Sequence, residues 1–193
     1  MDCRPSKRWS LLAAPLLALA AVSGIACGPP DQPKTASAAR QLPPYIGEAT
    51  TLFDDSIAPG VFGTAVDAAD AASDPELPRW TTQSETVVPV RVSTVTCDSQ
   101  GDKPTYTLML QPAGPPLAGR ALGQPVGVEI GPENPSYAFV HSADSTLVGK
   151  EFILFFRHFD EEGRITLHWR AEADTPALRA AIQRARLVGG FGS

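Results

Sequence analysis

The stretch that most constrains this fold runs from Glu151 to Ala171, "EFILFFRHFDEEGRITLHWRA". Two runs rich in aromatic and β-branched residues flank a short acidic segment that ends in glycine, which predicts a β-hairpin. The first run is apolar on both faces at its start, as in a central strand covered on both sides. In the second, Ile165, Leu167 and Trp169 alternate with polar residues. A three-residue loop of Glu161, Glu162 and Gly163, with Gly163 left-handed, sets Phe159 opposite Ile165, Arg157 opposite Leu167 and Phe155 opposite Trp169. One face is then nearly all apolar: Ile153, Phe155, Phe159, Ile165, Leu167 and Trp169. The other carries Leu154, Phe156, His158, Thr166, His168 and Arg170. On it His158 and His168 become diagonal neighbours, roughly 7–8 Å apart.

Three further strands are predicted upstream. "VVPVRVSTVTC" turns Val88, Val90 and Val92 to one side, with Pro89 at the strand's edge. "TYTLMLQ" turns Tyr106, Leu108 and Leu110 inward, and "VGVEI" does the same with Val126, Val128 and Ile130. A helix closes the chain. Thr175 or Asp174 caps it, Pro176 sits in its first turn, and Gly189 ends it. Leu178, Ala181, Ile182, Ala185 and Val188 make its apolar stripe. The fold class is therefore mainly β: a small curved antiparallel sheet, or an open five-stranded barrel that resembles the OB-fold in strand count, with a C-terminal α-helix. The helix usual between the third and fourth strands of that fold is replaced by the loop around "GPENPSYAFVHS".

Four segments follow. Residues 1–26 read as a signal peptide, 27–44 as a tether, 45–84 as an acidic arm with one short helix, and 85–193 as the β-rich domain. The tether, "GPPDQPKTASAARQLPP", has almost no apolar side chains with which to offset its ordering entropy. In the arm, Phe53, Ile57, Val61 and Phe62 suffice to lie against a domain surface. "DAADAASD" is a mobile loop or frayed turn, and Asp74-Pro75 opens a short helix that brings Leu77 and Trp80 together.

The candidate binding face is Phe156, His158, Thr166, His168 and Arg170. The alternative is a metal-binding or enzymatic use of His158 and His168, with His141 as a third ligand. Zinc or copper needs three or four ligands, and the sequence brings together at most two here. "VHSADS" has the residue types of a hydrolase, but no Gly-x-Ser-x-Gly nucleophile elbow accompanies it. No catalytic residue, metal or cofactor is assigned. Cys97 is expected to be a buried, apolar thiol with no partner.

The N-terminus bears on where the protein works. Arg4, Lys7 and Arg8 precede an apolar run, Leu11–Val22, far short of the roughly 20 residues that span a bilayer. Gly24-Ile25-Ala26-Cys27 then resembles the lipobox of bacterial lipoproteins. The resemblance covers only the first 27 residues and has Gly24 where Leu or Val is commoner. It implies cleavage before Cys27 and lipidation of its thiol. At about 0.8 kcal/mol per buried methylene, two or three chains would hold firmly. By the sorting rule of enteric lipoproteins, Gly28 after the cysteine implies the outer rather than the inner membrane, with the protein facing the periplasm.

Without residues 1–26, which hold Arg4, Lys7, Arg8 and Asp2, the 16 basic and 21 acidic residues become 13 and 20, a net charge of −7. No basic footprint for nucleic acid is present. The sequence thus describes a lipid-anchored envelope protein, a non-catalytic binding or assembly module whose partners are the membrane, through its anchor, and another envelope protein.

Overall fold

The structure is a computed structural model and describes residues 42–63, 70–99 and 102–189. The signal segment 1–26, Cys27 and the tether up to residue 41 lie outside the described residues.

The element order is α1 (Glu48–Leu52), β1 (Ser56–Ile57), a 3₁₀ turn (Pro59–Phe62), α2 (Asp70–Ser73), α3 (Leu77–Gln83), β2 (Thr86–Asp98), β3 (Thr105–Pro112), β4 (Ala118–Gly119), β5 (Val126–Ile130), α4 (Tyr137–Leu147), β6 (Glu151–Glu161), β7 (Arg164–Ala173) and α5 (Pro176–Gly189). One open, seven-stranded sheet has the order β1-β7-β6-β2-β3-β5, with β4 paired to the start of β2. The five long strands are the five read from the sequence, and they pair antiparallel. The two-residue β1 makes the sheet mixed by running parallel to β7.

Both faces of the sheet are covered, which explains why β6 is apolar on both sides. On one face Val88, Val90, Leu154, Phe156 and Trp169 pack beneath Val140 and Leu147 of α4. On the other, Val87, Ile153, Phe155 and Phe159 pack beneath Leu52, Phe53, Leu77, Trp80, Leu178 and Ile182. Each of those large side chains contributes about 1.5–3 kcal/mol by leaving water. The arm is thus part of the domain, and residues 42–189 lie in one compact unit. The short helix predicted to open at Asp74-Pro75 forms as α3 but starts later, at Leu77 with Glu76 at its N-cap. Asp74 Oδ1 accepts from the Glu76 N–H at 2.8 Å in the turn before it, and Leu77 and Trp80 are buried together.

Three local expectations are corrected. The segment "YAFVHSADSTL" is a helix, α4, not a loop. Pro89 sits in a central strand and is buried, not at an edge. It is tolerated there because the β2–β3 ladder ends at the Val90–Pro112 pair, so Pro89 faces a loop, where its carbonyl accepts from the Ala113 N–H at 2.8 Å. Cys97 is half-buried and disulfide-bonded, not a fully buried thiol without a partner. The closing helix follows the sequence more closely. Thr175 Oγ1 accepts from the Leu178 N–H at 3.1 Å, and Leu178, Ala181, Ile182 and Ala185 are buried. Val188, the last of the expected stripe, is 77% exposed.

Candidate functional site

The β6–β7 turn decides where every candidate residue lies. Glu161 pairs with Arg164, so the loop is the two residues Glu162 and Gly163. Both have left-handed φ, 54° and 79°, as a type I′ turn requires. The Asp160 carboxylate accepts from the Gly163 N–H at 2.7 Å and so braces the turn. The three-residue loop read from the sequence shifts this register by one. Phe159 faces Thr166, Arg157 faces His168 and Phe155 faces Arg170. A one-residue slip moves every side chain of one strand to the opposite face.

The candidate binding face therefore divides. Phe156 and His158 belong to the α4 side of the sheet, with Trp169 and Leu167 as their cross-strand partners. Thr166, His168 and Arg170 belong to the side covered by α1, α3 and α5. Phe156 is 4% exposed and is a core residue. His158 is bound to Glu85, Nδ1 to Oε2 at 2.8 Å, and meets Phe156 edge-on. That hydrogen bond holds the Glu85 carboxyl below its ordinary range. His141 lies on α4, where Nδ1 is 2.6 Å from the Tyr106 hydroxyl and its ring stacks on Tyr137. The three histidines thus occupy three separate sites. Within "VHSADS" the Ser142 hydroxyl donates to the Phe139 carbonyl at 2.9 Å, not to His141.

On the helix-covered side, His168 is locked in place. Asp55 Oδ2 lies 2.8 Å from Nδ1, and Glu161 Oε2 lies 3.4 Å from Nε2, an ion-pair separation rather than an aligned hydrogen bond. The Tyr45 ring stacks flat on the imidazole at 3.4 Å between centroids, and Phe159 meets it edge-on. Burial pushes the Asp55 carboxyl above its ordinary range, against the opposing pull of His168. Burial, then the charges of Asp55, Asp54 and Glu161, pushes the Tyr45 hydroxyl up as well. Asp55 also accepts from the Trp169 N–H at 3.0 Å while holding φ at 55°. With Nε2 turned to Glu161 and Tyr45 over the ring, the imidazole has no open approach for a substrate. It clasps the arm to the sheet.

Beyond Arg170 the same face opens into a cavity of about 350 Å³ between β1, the 3₁₀ turn, α2 and the start of α4. Arg170 lines it with Nε 2.8 Å from Glu172 Oε1 and Nη1 3.6 Å from Asp54 Oδ1. Its guanidinium lies 4.3 Å from the centroid of the Trp80 ring. Burial pushes the Glu172 carboxyl up, while Arg170 draws it back down. Asp54, Ser56, Asp74, Ser136 and Phe139 complete the polar and aromatic lining. Of these residues only Arg170 is marked by the sequence: Glu172 lies on β7 just past the strand as read, and the others come from arm, loop and α4 segments read without periodicity.

No family model, no curated protein and no solved structure matches this chain.

Proposed function

We propose that this chain is a lipid-anchored binding module of the bacterial cell envelope, held by Cys27, facing the periplasm and non-catalytic, with the cavity beside β1 as its ligand site. The cavity carries this reading. It has a mixed apolar and charged lining and a volume within the roughly 300–1,000 Å³ range of small-molecule sites. The occupied state of the histidines weighs against the enzymatic and metal alternatives, since each is engaged by a neighbouring side chain on a different part of the fold.

The anchor is tested by mass spectrometry of the chain made in a bacterial host. At Cys27, lipidation and a disulfide to Cys97 exclude one another, and Cys3 lies in the segment that cleavage would remove. A diacylated N-terminal Cys27 peptide, with loss of detergent partitioning in Cys27→Ser, supports the anchor. A non-reduced Cys27–Cys97 peptide, or equal partitioning of both forms, refutes it. The outer membrane is the expected destination, read by density fractionation.

A further inference from the structure

We infer that the cavity beside β1 takes a small organic cation, an alkylammonium or guanidinium group on a short apolar body; this rests on the reading of that cavity as a ligand site. Three carboxylates, Asp54, Asp74 and Glu172, face it against one guanidinium, Arg170. The lining therefore carries two negative charges in excess. Arg170 is shared between Glu172 and Asp54 while its flat face is occupied by Trp80, so its positive charge is already spent. Glu172 is the deepest of the acids, its side chain 6% exposed. Like-charge crowding costs more there than on a surface, because the local dielectric is low. A cation entering the cavity removes that cost, whereas an anion adds to it.

The apolar lining sets the rest of the ligand. Ile57, Ala71 and Ala173 offer a wall for methylene groups. At the rim Phe139 stacks on Phe62, with centroids 5.3 Å apart and planes 14° from parallel. A bare metal ion fits less well, since among the described residues no group of three His, Cys, Asp or Glu side chains is placed to hold one. Proton linkage follows from Glu172, whose carboxyl is raised by burial, with Arg170 opposing the shift and Asp74 and Asp54 adding to it. A bound cation competes with its proton, so affinity should fall as pH drops through the Glu172 titration.

The test is calorimetric titration of the full chain, solubilised in detergent, with n-hexylammonium, n-hexanol and hexanoate. Hexylammonium should bind one to one, at least tenfold tighter than the other two, and more weakly at lower pH. Glu172→Gln should weaken it at least tenfold. Asp54→Asn and the partly exposed Asp74→Asn should each weaken it severalfold and serve as controls should Glu172→Gln not fold. Equal or tighter binding of hexanol or hexanoate overturns the cation assignment while leaving a ligand site. Unchanged affinity in both aspartate variants overturns it too. Binding of none of the three probes overturns both the assignment and the reading on which it rests.

Discussion

Asp55 and His168, 113 positions apart in sequence, meet at 2.8 Å and fasten the N-terminal arm to the outer long strand of the sheet. Asp55 serves two donors, since its second oxygen accepts from the Trp169 N–H. Asn134 adds a third tie by donating to the Asp55 carbonyl at 2.8 Å. The clasp lies at the margin of the helix-covered core, with Phe159 against both Tyr45 and Phe53.

His168→Ala should cost about 2 kcal/mol, because it leaves the Asp55 and Glu161 carboxylates without their shared partner and opens a void beneath Tyr45. His158→Ala should cost less than about 1 kcal/mol, since the His158–Glu85 pair is open to solvent screening, 41% and 30% exposed, where His168 is only 13% exposed. Urea unfolding of the two variants checks this. Equal losses would mean that the hairpin register places both histidines alike.

Gly119→Ala should be far more damaging than Gly163→Ala. Both glycines have left-handed φ, 73° and 79°. At Gly163 nothing stands near an added methyl, so the expected cost is the conformational one, about 1–2 kcal/mol. At Gly119 the methyl would run into the Glu85 carbonyl, where β4 lies against the start of β2. A loss well above about 2 kcal/mol, or failure to fold, is expected there. Similar melting temperatures for the two variants would contradict this packing.

Within α5, Ile182→Asp should abolish stable folding, because Ile182 is fully buried against the sheet and a charge there has no partner. The cost, several kcal/mol, is comparable with a small domain's whole stability. Val188→Asp, six residues further on, should change stability by less than about 0.5 kcal/mol. Circular dichroism and thermal melts of the pair decide it, and a destabilised Val188→Asp would mean that the stripe continues into a contact.

Two carboxylates should bend the pH profile in opposite senses. The Glu85 carboxyl is lowered by its bond to His158, so its contribution is fully present above its ordinary value of 4.5 and fades as pH falls through the folded value. Glu85→Gln should therefore flatten the acid side of the stability curve. The Glu172 carboxyl is raised by burial, so its ionised form costs stability, and that cost is relieved as pH falls through the folded value. In Glu172→Gln that relief should vanish, leaving a profile that drops more steeply towards acid than the wild type. Denaturant midpoints from pH 3 to 7 read both signs, and parallel curves for all three proteins would refute the assignments.

The five long strands and the closing helix follow from periodicity within each element, which is local and needs no knowledge of the rest of the chain. Leu108 with Leu110, or Leu178 with Ile182, share a face because a strand repeats every two residues and a helix every 3.6. The pairing of β6 with β7 is different in kind. An acidic run ending in glycine fits a two-residue or a three-residue loop, and both keep large apolar residues on each face of β6. What selects the register is distant: Asp55 and Tyr45 receive His168, Trp80 receives Arg170, and the Pro43 carbonyl accepts from the Asp160 N–H at 2.9 Å. The cavity has the same origin. Its acids come from the arm before β1, from the turn between α2 and α3 and from β7, and only the parallel docking of β1 on β7 brings Asp54 within reach of Arg170. A period of two can say that Thr166, His168 and Arg170 lie together. Which face they share with β6, and what waits for them there, depends on contacts between residues more than 70 positions apart.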